Sequence, residues 1–358
     1  MVTRARDAGV DGDAMTPAIL VVAFLVSAAL THCLCAVGHR VSQVDVPNER
    51  SLHDTPTPRS GGLAIVVCTA VFGLATAWSL GARMPWLAIG AAGLVAVVSY
   101  LDDHVGVSPL VRLAVHFAAA ALVGAGMKPG IAALGPLASL PEGAQVVAIV
   151  VFLSWFTNLY NFMDGMDGFA GGMTVIGFGV YAVLAFVAGA PVFAALCAVI
   201  AASAAGFLLY NFPPARIFMG DVGSSTLGFL AGTFALVGIR DGVLQAPAAL
   251  LVFAPFSVDA TATLLKRAIT GERVWRPHRT HYYQRLVRLG WGHRRTVLSE
   301  YAVMIACAAT AVAGSRIGAS AWKVLVPSWA AVFVGLMWIV HRLERLRVTA
   351  PQTSSRNV

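Results

Sequence analysis

The chain has 358 residues, 58% of them hydrophobic and only 12% charged, with a mean hydropathy of +0.76. A soluble domain carries about 25% charged residues, so half that share leaves too little polar surface to cover a globule in water. The net charge of +8 would fit a nucleic-acid binder, but most of the basic residues flank apolar spans, which points to membrane orientation and excludes nucleic acid as the partner.

A bilayer core needs about 20 apolar residues per helix. In chain order the apolar segments are 15–37, 61–81, 84–101, 109–127, 144–161, 168–188, 191–212, 223–240, 246–265, 298–318 and 322–341, which predicts an all-α polytopic membrane protein of eleven transmembrane helices. The separators are short except 38–60 and 266–297, and there is no internal repeat. Residues 1–345 therefore read as a single transmembrane domain and 346–358 as a disordered tail. The first span is longer than a signal-peptide core, follows a tail of mixed charge (Arg4, Arg6, Asp7, Asp11, Asp13) and precedes no clean cleavage site. It reads as a retained helix. Cys33, Cys35, Cys68, Cys197 and Cys307 lie in apolar stretches and form no C-x-x-C pair, so they read as small hydrophobes, not as zinc ligands or disulfides.

Orientation follows from Lys and Arg. With the amino terminus outside, the outer face holds Arg4, Arg6, Arg83, Lys128, Arg240, Arg316 and Lys323; that is seven of the 25, and the other eighteen fall inside. The amino terminus is expected to be periplasmic and the carboxyl terminus cytoplasmic.

With that topology the chemistry-bearing loops share the cytoplasmic face. They are Ser51–Gly62 with Thr57 and Arg59, Tyr100–His104 with Asp102 and Asp103, Asn158–Gly168, Asn211–Ser224, and 266–297. Carboxylates at helix ends near hydrocarbon are costly unless paired or metal-bound. Six of them (Asp102, Asp103, Asp164, Asp167, Asp221 and Asp259) converging on one side imply a cation. Oxygen ligands without usable thiols point to Mg²⁺ or Mn²⁺.

Taken singly, each motif has a plainer reading. Asp102-Asp103 alone is as easily a helix cap, although two adjacent carboxylates abutting a membrane suit a general base. Asn161-x-x-Asp164-x-x-Asp167 has spacing that would line one face of a helical turn, with Gly165 and Gly168 admitting a ligand. Gly220-Asp221-x-Gly223-Ser224 before a helix offers backbone N–H groups to an anion or a metal-bound ligand, or is simply an N-cap. Asp259 inside a span is a functional carboxylate or half of a buried pair with Lys or Arg. The 266–297 loop carries nine cations with His278, His281 and His293. A basic anchor would explain the charge, but not His278-Arg-Thr-His281, where histidines three apart are expected to share a helical face beside Arg279. Cations and histidines against an Asp centre are what a diphosphate needs.

Five motifs in order, Pro56-Thr-Pro-Arg-Ser-Gly-Gly62, Asp102-Asp103, Asn158-Leu-Tyr-Asn-Phe-Met-Asp-Gly-Met-Asp-Gly168, Phe218-Met-Gly-Asp-Val-Gly-Ser224 and His278-Arg-Thr-His281, resemble the polyprenyl-phosphate N-acetylhexosamine-1-phosphate transferases. The resemblance runs over about residues 45–290. It implies transfer of HexNAc-1-phosphate from a UDP-HexNAc donor to undecaprenyl phosphate in the inner leaflet of a bacterial inner membrane, with release of UMP. It also implies that Asp221 and Asn161 hold Mg²⁺, and that Asp102 or Asp103 binds or deprotonates the lipid phosphate. Asp164 and Asp167 would line the nucleotide and metal site. His278, His281 and the arginines Arg276, Arg279 and Arg285 would hold the diphosphate; Thr57, Arg59 and Asn158 are further substrate-binding candidates. A homodimer is the candidate assembly.

The pentapeptide-transferring branch typically carries a lysine after the double Asp and a His-rich triplet in the last loop. Here His104-Val-Gly-Val107 follows instead, and the loop reads His-Arg-Thr-His. That favours branches that start O-antigen or related envelope glycans, some with 6-deoxy-HexNAc donors. Two rivals remain. A prenyltransferase would use the Asp-rich loops but has no place for the basic histidine loop. An ion-coupled transporter would need ionisable residues near the midplane, where only Asp259 and His116 are candidates.

Overall fold

The computed structural model describes residues 10–41, 44–47, 52, 55–127, 139–273 and 278–349. Among them, ten helices are long and apolar enough to cross a membrane. In chain order they are α1 (Val10–Val41), α2 (Gly61–Ser79), α3 (Trp86–Val105), α4 (Pro109–Gly126), α5 (Glu142–Met163), α6 (Phe169–Val187), α7 (Pro191–Asn211) and α8 (Gly220–Arg240), followed after a bent pair by α12 (Gly292–Ile317) and α13 (Trp322–Thr349). A short α11 (Tyr282–Leu286) and a π-helical turn (Val287–Trp291) lead into α12. Two two-residue strands, β1 (Val44–Asp45) and β2 (Thr57–Pro58), pair antiparallel ahead of α2.

The eleventh expected span, 246–265, is not one helix. It is α9 (Ala246–Val252) and α10 (Ala254–Ile269), bent by 75° at Phe253. Pro255 stands in the first turn of α10 and has no N–H to donate back to Leu251, so the helix restarts there instead of continuing. At the carboxyl end α13 runs through Thr349, past the boundary expected at 346, because Arg347 Nη1 donates to the Arg288 carbonyl and pins its last turn.

The bundle is centred on α8, with 78% of its apolar window buried against neighbours that include α2, α3 and α5. Its Gly228 and Gly232 lie directly against Tyr160 and Leu153 of α5, the close backbone approach that small residues permit in lipid. Between α5, α6 and α9–α10 sits an aromatic core of Tyr160, Phe169, Phe178, Tyr181, Phe253 and Phe256. The Tyr160 hydroxyl pairs with Thr174 Oγ1 at 2.6 Å and Tyr181 donates to the Ala249 carbonyl at 2.9 Å, so neither buried hydroxyl is left unmatched. The five cysteines are free, and Cys68, Cys197 and Cys307 are buried. One end of this bundle gathers the starts of α2, α4, α6, α8 and α12 with the ends of α3, α5 and α7, and the side chains below tie them together.

Candidate active site

The segment before α2 docks on the segment before α8. Phe218 N–H donates to the Pro58 carbonyl at 2.8 Å, Gly61 N–H to Phe218 at 2.9 Å and Gly62 N–H to Met219 at 2.8 Å. Gly62 is needed for this clasp, since a Cβ there would sit 2.4 Å from the Gly223 Cα. Gly220 is needed too, at φ +72° with the Arg59 carbonyl 2.3 Å from any added Cβ. The Pro-Thr-Pro-Arg-Ser-Gly-Gly motif is therefore mostly a clasp. Thr57 is buried and donates to the Thr55 carbonyl at 3.0 Å, while Arg59 is delivered to the start of α8.

Asp103, buried at the end of α3, accepts the N–H of Asp221 at 3.0 Å and of Val222 at 2.8 Å. A carboxylate from another helix thus caps α8, where the helix dipole favours negative charge. Two of the amides expected to be open to a ligand at the start of α8, those of Asp221 and Val222, are taken by this cap. Asp102 behaves differently. Its Oδ1 accepts Val107 N–H at 2.7 Å, and its Oδ2 meets Arg112 Nη1 of α4 at 2.5 Å. The same Arg112 nitrogen lies 2.8 Å from Asp221 Oδ2, and Arg59 Nη2 lies 3.5 Å from Asp221 Oδ1 and 3.8 Å from Asp103 Oδ1. Burial alone would lower the Arg59 pKa, but the carboxylates of Asp221, Asp103, Asp45 and Asp164 outweigh it and the net shift is upward.

Asp164 completes this centre as the C-cap of α5. Burial first, then Asp221 and Asp103, push its pKa well above the usual carboxylate range, with Arg59 opposing them. Four carboxylates (Asp102, Asp103, Asp164, Asp221) face two guanidiniums (Arg59, Arg112); with all four ionised the excess is two negative charges, four minus two, and that crowding is part of what raises Asp164. One divalent cation would cancel that excess. Among the described residues no three His, Cys, Asp or Glu form a ready-made cage. Mg²⁺ commonly takes one or two carboxylates and completes its shell with water and substrate phosphates, a donor set that Asp221 and its neighbours could supply. Asn161 is close by, its Nδ2 donating to Ser224 Oγ at 3.0 Å.

Asp167 is not part of this centre. The helix ends at Met163, so the expected single face over Asn161, Asp164 and Asp167 is broken. Asp167 instead accepts Ala215 N–H at 2.9 Å and pairs with His293 Nδ1 of α12 at 3.0 Å, tying three segments together.

A second cluster lies on the turn into α11. His278 and His281 precede the helix and do not share a helical face, yet their rings stand 4.8 Å apart. Asp259 of α10 accepts Tyr282 N–H at 2.9 Å and Tyr283 N–H at 3.2 Å, and its Oδ1 is 3.4 Å from His281 Nδ1. It pairs with a histidine and two amides, not with Lys or Arg. Burial, then His281 and Arg267, lower the His278 pKa to about 4, so its ring is neutral at physiological pH. Tyr283 donates to the Phe162 carbonyl at 3.3 Å, which sets this cluster beside Asp164. Arg279 lines a polar cavity of about 210 Å³ with Lys266 and Arg288, Arg285 is engaged by Glu344, and Arg276 lies outside the described residues.

An apolar groove of about 350 Å³ runs between α4, α5 and α10, lined by Leu113, Phe117, Val151, Trp155 and Phe162. Two of its lining residues, Leu113 and Phe162, directly follow Arg112 and Asn161 in the chain. Asn158 is in its wall, with its Nδ2 donating to the Ser154 carbonyl at 2.7 Å and lying 3.5 Å from His116 Nδ1.

Residues 85–239 match the family described as glycosyl transferase family 4. The chain is 32% identical to the probable undecaprenyl-phosphate N-acetylglucosaminyl 1-phosphate transferase of Bacillus subtilis, over 79% of this chain and 82% of the relative. It is also 32% identical to the decaprenyl-phosphate N-acetylglucosaminephosphotransferase of Mycolicibacterium smegmatis, over 73% of each. A phospho-N-acetylmuramoyl-pentapeptide-transferase of Staphylococcus haemolyticus is 36% identical over 43% of this chain and 47% of its own. This chain belongs to glycosyl transferase family 4.

As a family 4 member the chain is a multi-pass membrane transferase. The matched region holds Asp102, Asp103, Asn158, Asn161, Asp164, Asp167 and Asp221, whereas Arg59, His278 and His281 reach the same end of the bundle from outside it. Sequence reasoning missed Arg112, the guanidinium that joins Asp102 to Asp221. Its only signal was a cation near the start of α4, which looks like any membrane-flanking arginine.

Proposed function

We propose that this family 4 transferase moves HexNAc-1-phosphate from a UDP-HexNAc to undecaprenyl phosphate at the cytoplasmic face of a bacterial inner membrane. An oxygen of the lipid phosphate attacks the sugar-bearing phosphorus, the bond to the bridging oxygen breaks, and UMP leaves with that oxygen. The observation that carries the reading is an acid-rich centre on the same helices, α4 and α5, that line an apolar groove: a lipid-soluble acceptor and a water-soluble donor can meet only where both environments touch. Phosphoryl transfer of this kind asks for positioning and charge neutralisation more than for covalent chemistry.

The roles follow from the contacts. Asp103 is committed to the α8 cap, whereas Asp102, held by Val107 N–H and Arg112, shares that guanidinium with Asp221 and is assigned to take the acceptor's proton or orient its phosphate. Arg112 and Arg59 offer cations to developing phosphate charge. Asp221 and Asn161 would hold Mg²⁺, or Mn²⁺, which when bound supplies charge to the donor diphosphate. His278, held neutral, presents a hydrogen-bonding ring beside His281. The groove takes the first isoprene units.

Relatives matched along three quarters of the chain are named for N-acetylglucosamine, so UDP-GlcNAc is the first donor to try, with 6-deoxy-HexNAc donors next. The product would start an O-antigen or a related envelope glycan. Membranes carrying the protein, incubated with a panel of radiolabelled UDP-HexNAc donors and undecaprenyl phosphate, should move label into the organic phase with one donor preferred. Label that stays aqueous with every donor would refute the proposal.

A further inference from the structure

α13 is the least covered of the spans, with only 6% of its apolar window buried. Its last turns reach back to residues 282–288 through polar contacts. Glu344 accepts two hydrogen bonds from Arg285, from Nε at 2.7 Å and Nη2 at 2.5 Å. The His341 ring lies 5.6 Å from Tyr282, and Arg347 donates to the Arg288 carbonyl. Arg285 is only 8% exposed and lies 4.4 Å over the Tyr282 ring. Its fork is therefore engaged by a carboxylate in bidentate geometry and is not open to a phosphate.

Arg285 sits on the turn that carries the histidines. Its N–H donates to the His281 carbonyl at 3.0 Å, and the neighbouring Tyr282 and Tyr283 amides hold Asp259, which stands beside His281 Nδ1. A short chain of contacts thus links Glu344 to the His278–His281 pair. α11 is little more than one turn long and is separated from α12 by the kink at Gly290 (φ +90°), so its orientation depends on the side chains that grip it.

We propose that Glu344 is a positioning residue for the nucleotide-sugar donor: from the last span it grips Arg285 and so sets the α11 turn that aims His281. The inference rests on the reading of the His278–His281 turn as donor-facing. It makes donor affinity depend on the last turns of the last span.

The test is steady-state kinetics in membrane vesicles with UDP-GlcNAc varied at saturating undecaprenyl phosphate, and the reverse. The variants are Glu344→Ala, Arg285→Ala, the exchanged pair Arg285→Glu/Glu344→Arg, His281→Ala, and Glu344→Ala combined with His281→Ala. Protein level and melting temperature are followed throughout. Glu344→Ala should raise the donor KM roughly tenfold, the scale expected when a binding group is displaced by a fraction of an ångström. The acceptor KM should be unchanged, the exchanged pair should recover most of the loss, and Glu344→Ala should add nothing once His281 is gone. If His281→Ala raises the donor KM while Glu344→Ala leaves it alone, or raises both KM values equally, the role of Glu344 is overturned. If His281→Ala itself leaves the donor KM unchanged, the donor-facing reading falls and this proposal falls with it.

Discussion

Asp102 and Asp103 are adjacent in sequence and divided in role, and the division has a measurable consequence. Asp103 accepts two amides of the first turn of α8 at 3.0 and 2.8 Å from a buried position. In Asp103→Asn one oxygen becomes an NH₂ that faces an N–H it cannot accept. One charge-assisted hydrogen bond is lost, worth about 1.5–3 kcal/mol, and a negative charge leaves a helix N-terminus, worth about 0.3–1 kcal/mol. The expected cost is about 2–4 kcal/mol, or a fall of ~5 °C in the melting temperature of the detergent-purified protein. Asp102→Asn weakens the pair with Arg112, in which the Asp102 side chain is only 13% exposed, and should lower melting by a comparable few degrees, while turnover falls roughly a hundredfold or more, the scale of losing a general base and a larger loss than in Asp103→Asn. Thermal unfolding of both variants, run beside the transfer assay, checks this. An Asp103→Asn protein as stable as the wild type, or one that loses turnover as steeply as Asp102→Asn, would refute the division of roles.

Other expectations concern the centre, the histidine turn and the topology. Arg112→Ala should raise the KM for undecaprenyl phosphate at least tenfold while Arg112→Lys recovers part of it, as a bridging guanidinium is only half replaced by an ammonium; unchanged acceptor kinetics would remove Arg112 from the site. Because His278 titrates at about 4 in the folded chain against 6.5 when free, the folded state binds fewer protons between those values. Its contribution is therefore neutral above about pH 6.5 and becomes destabilising as the pH falls through the window toward 4. His278→Gln should accordingly relieve acid sensitivity below pH 6 and leave the shape of the activity profile between pH 7 and 8 unchanged, which a pH series of melting curves and rates reads directly. Cysteines introduced at 104 and 280 should react with an impermeant thiol reagent from the cytosol only, and periplasmic labelling of either would invert the topology.

Much of the fold is legible in hydropathy because lipid demands long apolar helices and nothing else supplies them. Eleven apolar runs became ten helices and one bent pair. The bend at Phe253 left no trace in composition, since the segment stays apolar through it and a proline near a helix start is as common as one that breaks a helix. The acidic residues of the centre were legible because charge at the end of an apolar span is expensive and needs a reason. Their individual roles were not. Asp164 and Asp167 differ because α5 stops at Met163, and Asp102 and Asp103 differ because one points at the amides of a helix far along the chain. Arg112 and Glu344 carried no signal, as a cation at a helix start and an acid in a basic tail are ordinary neighbours of a membrane. Only the packing of α4 on α3, which lets Arg112 reach Asp221 of α8, and of α13 on α11, gives them partners.

The central claim is that the Asp221 centre brings a divalent cation, a UDP-sugar and a lipid phosphate together. The most direct measurement is UMP release from UDP-GlcNAc by the purified protein, with and without undecaprenyl phosphate, across a titration of Mg²⁺ and with Asp221→Asn alongside. UMP should appear only when lipid phosphate and the cation are both present, and Asp221→Asn should abolish it while the protein accumulates and melts as before. UMP release by Asp221→Asn at the wild-type rate, or release that ignores the cation, would contradict the account.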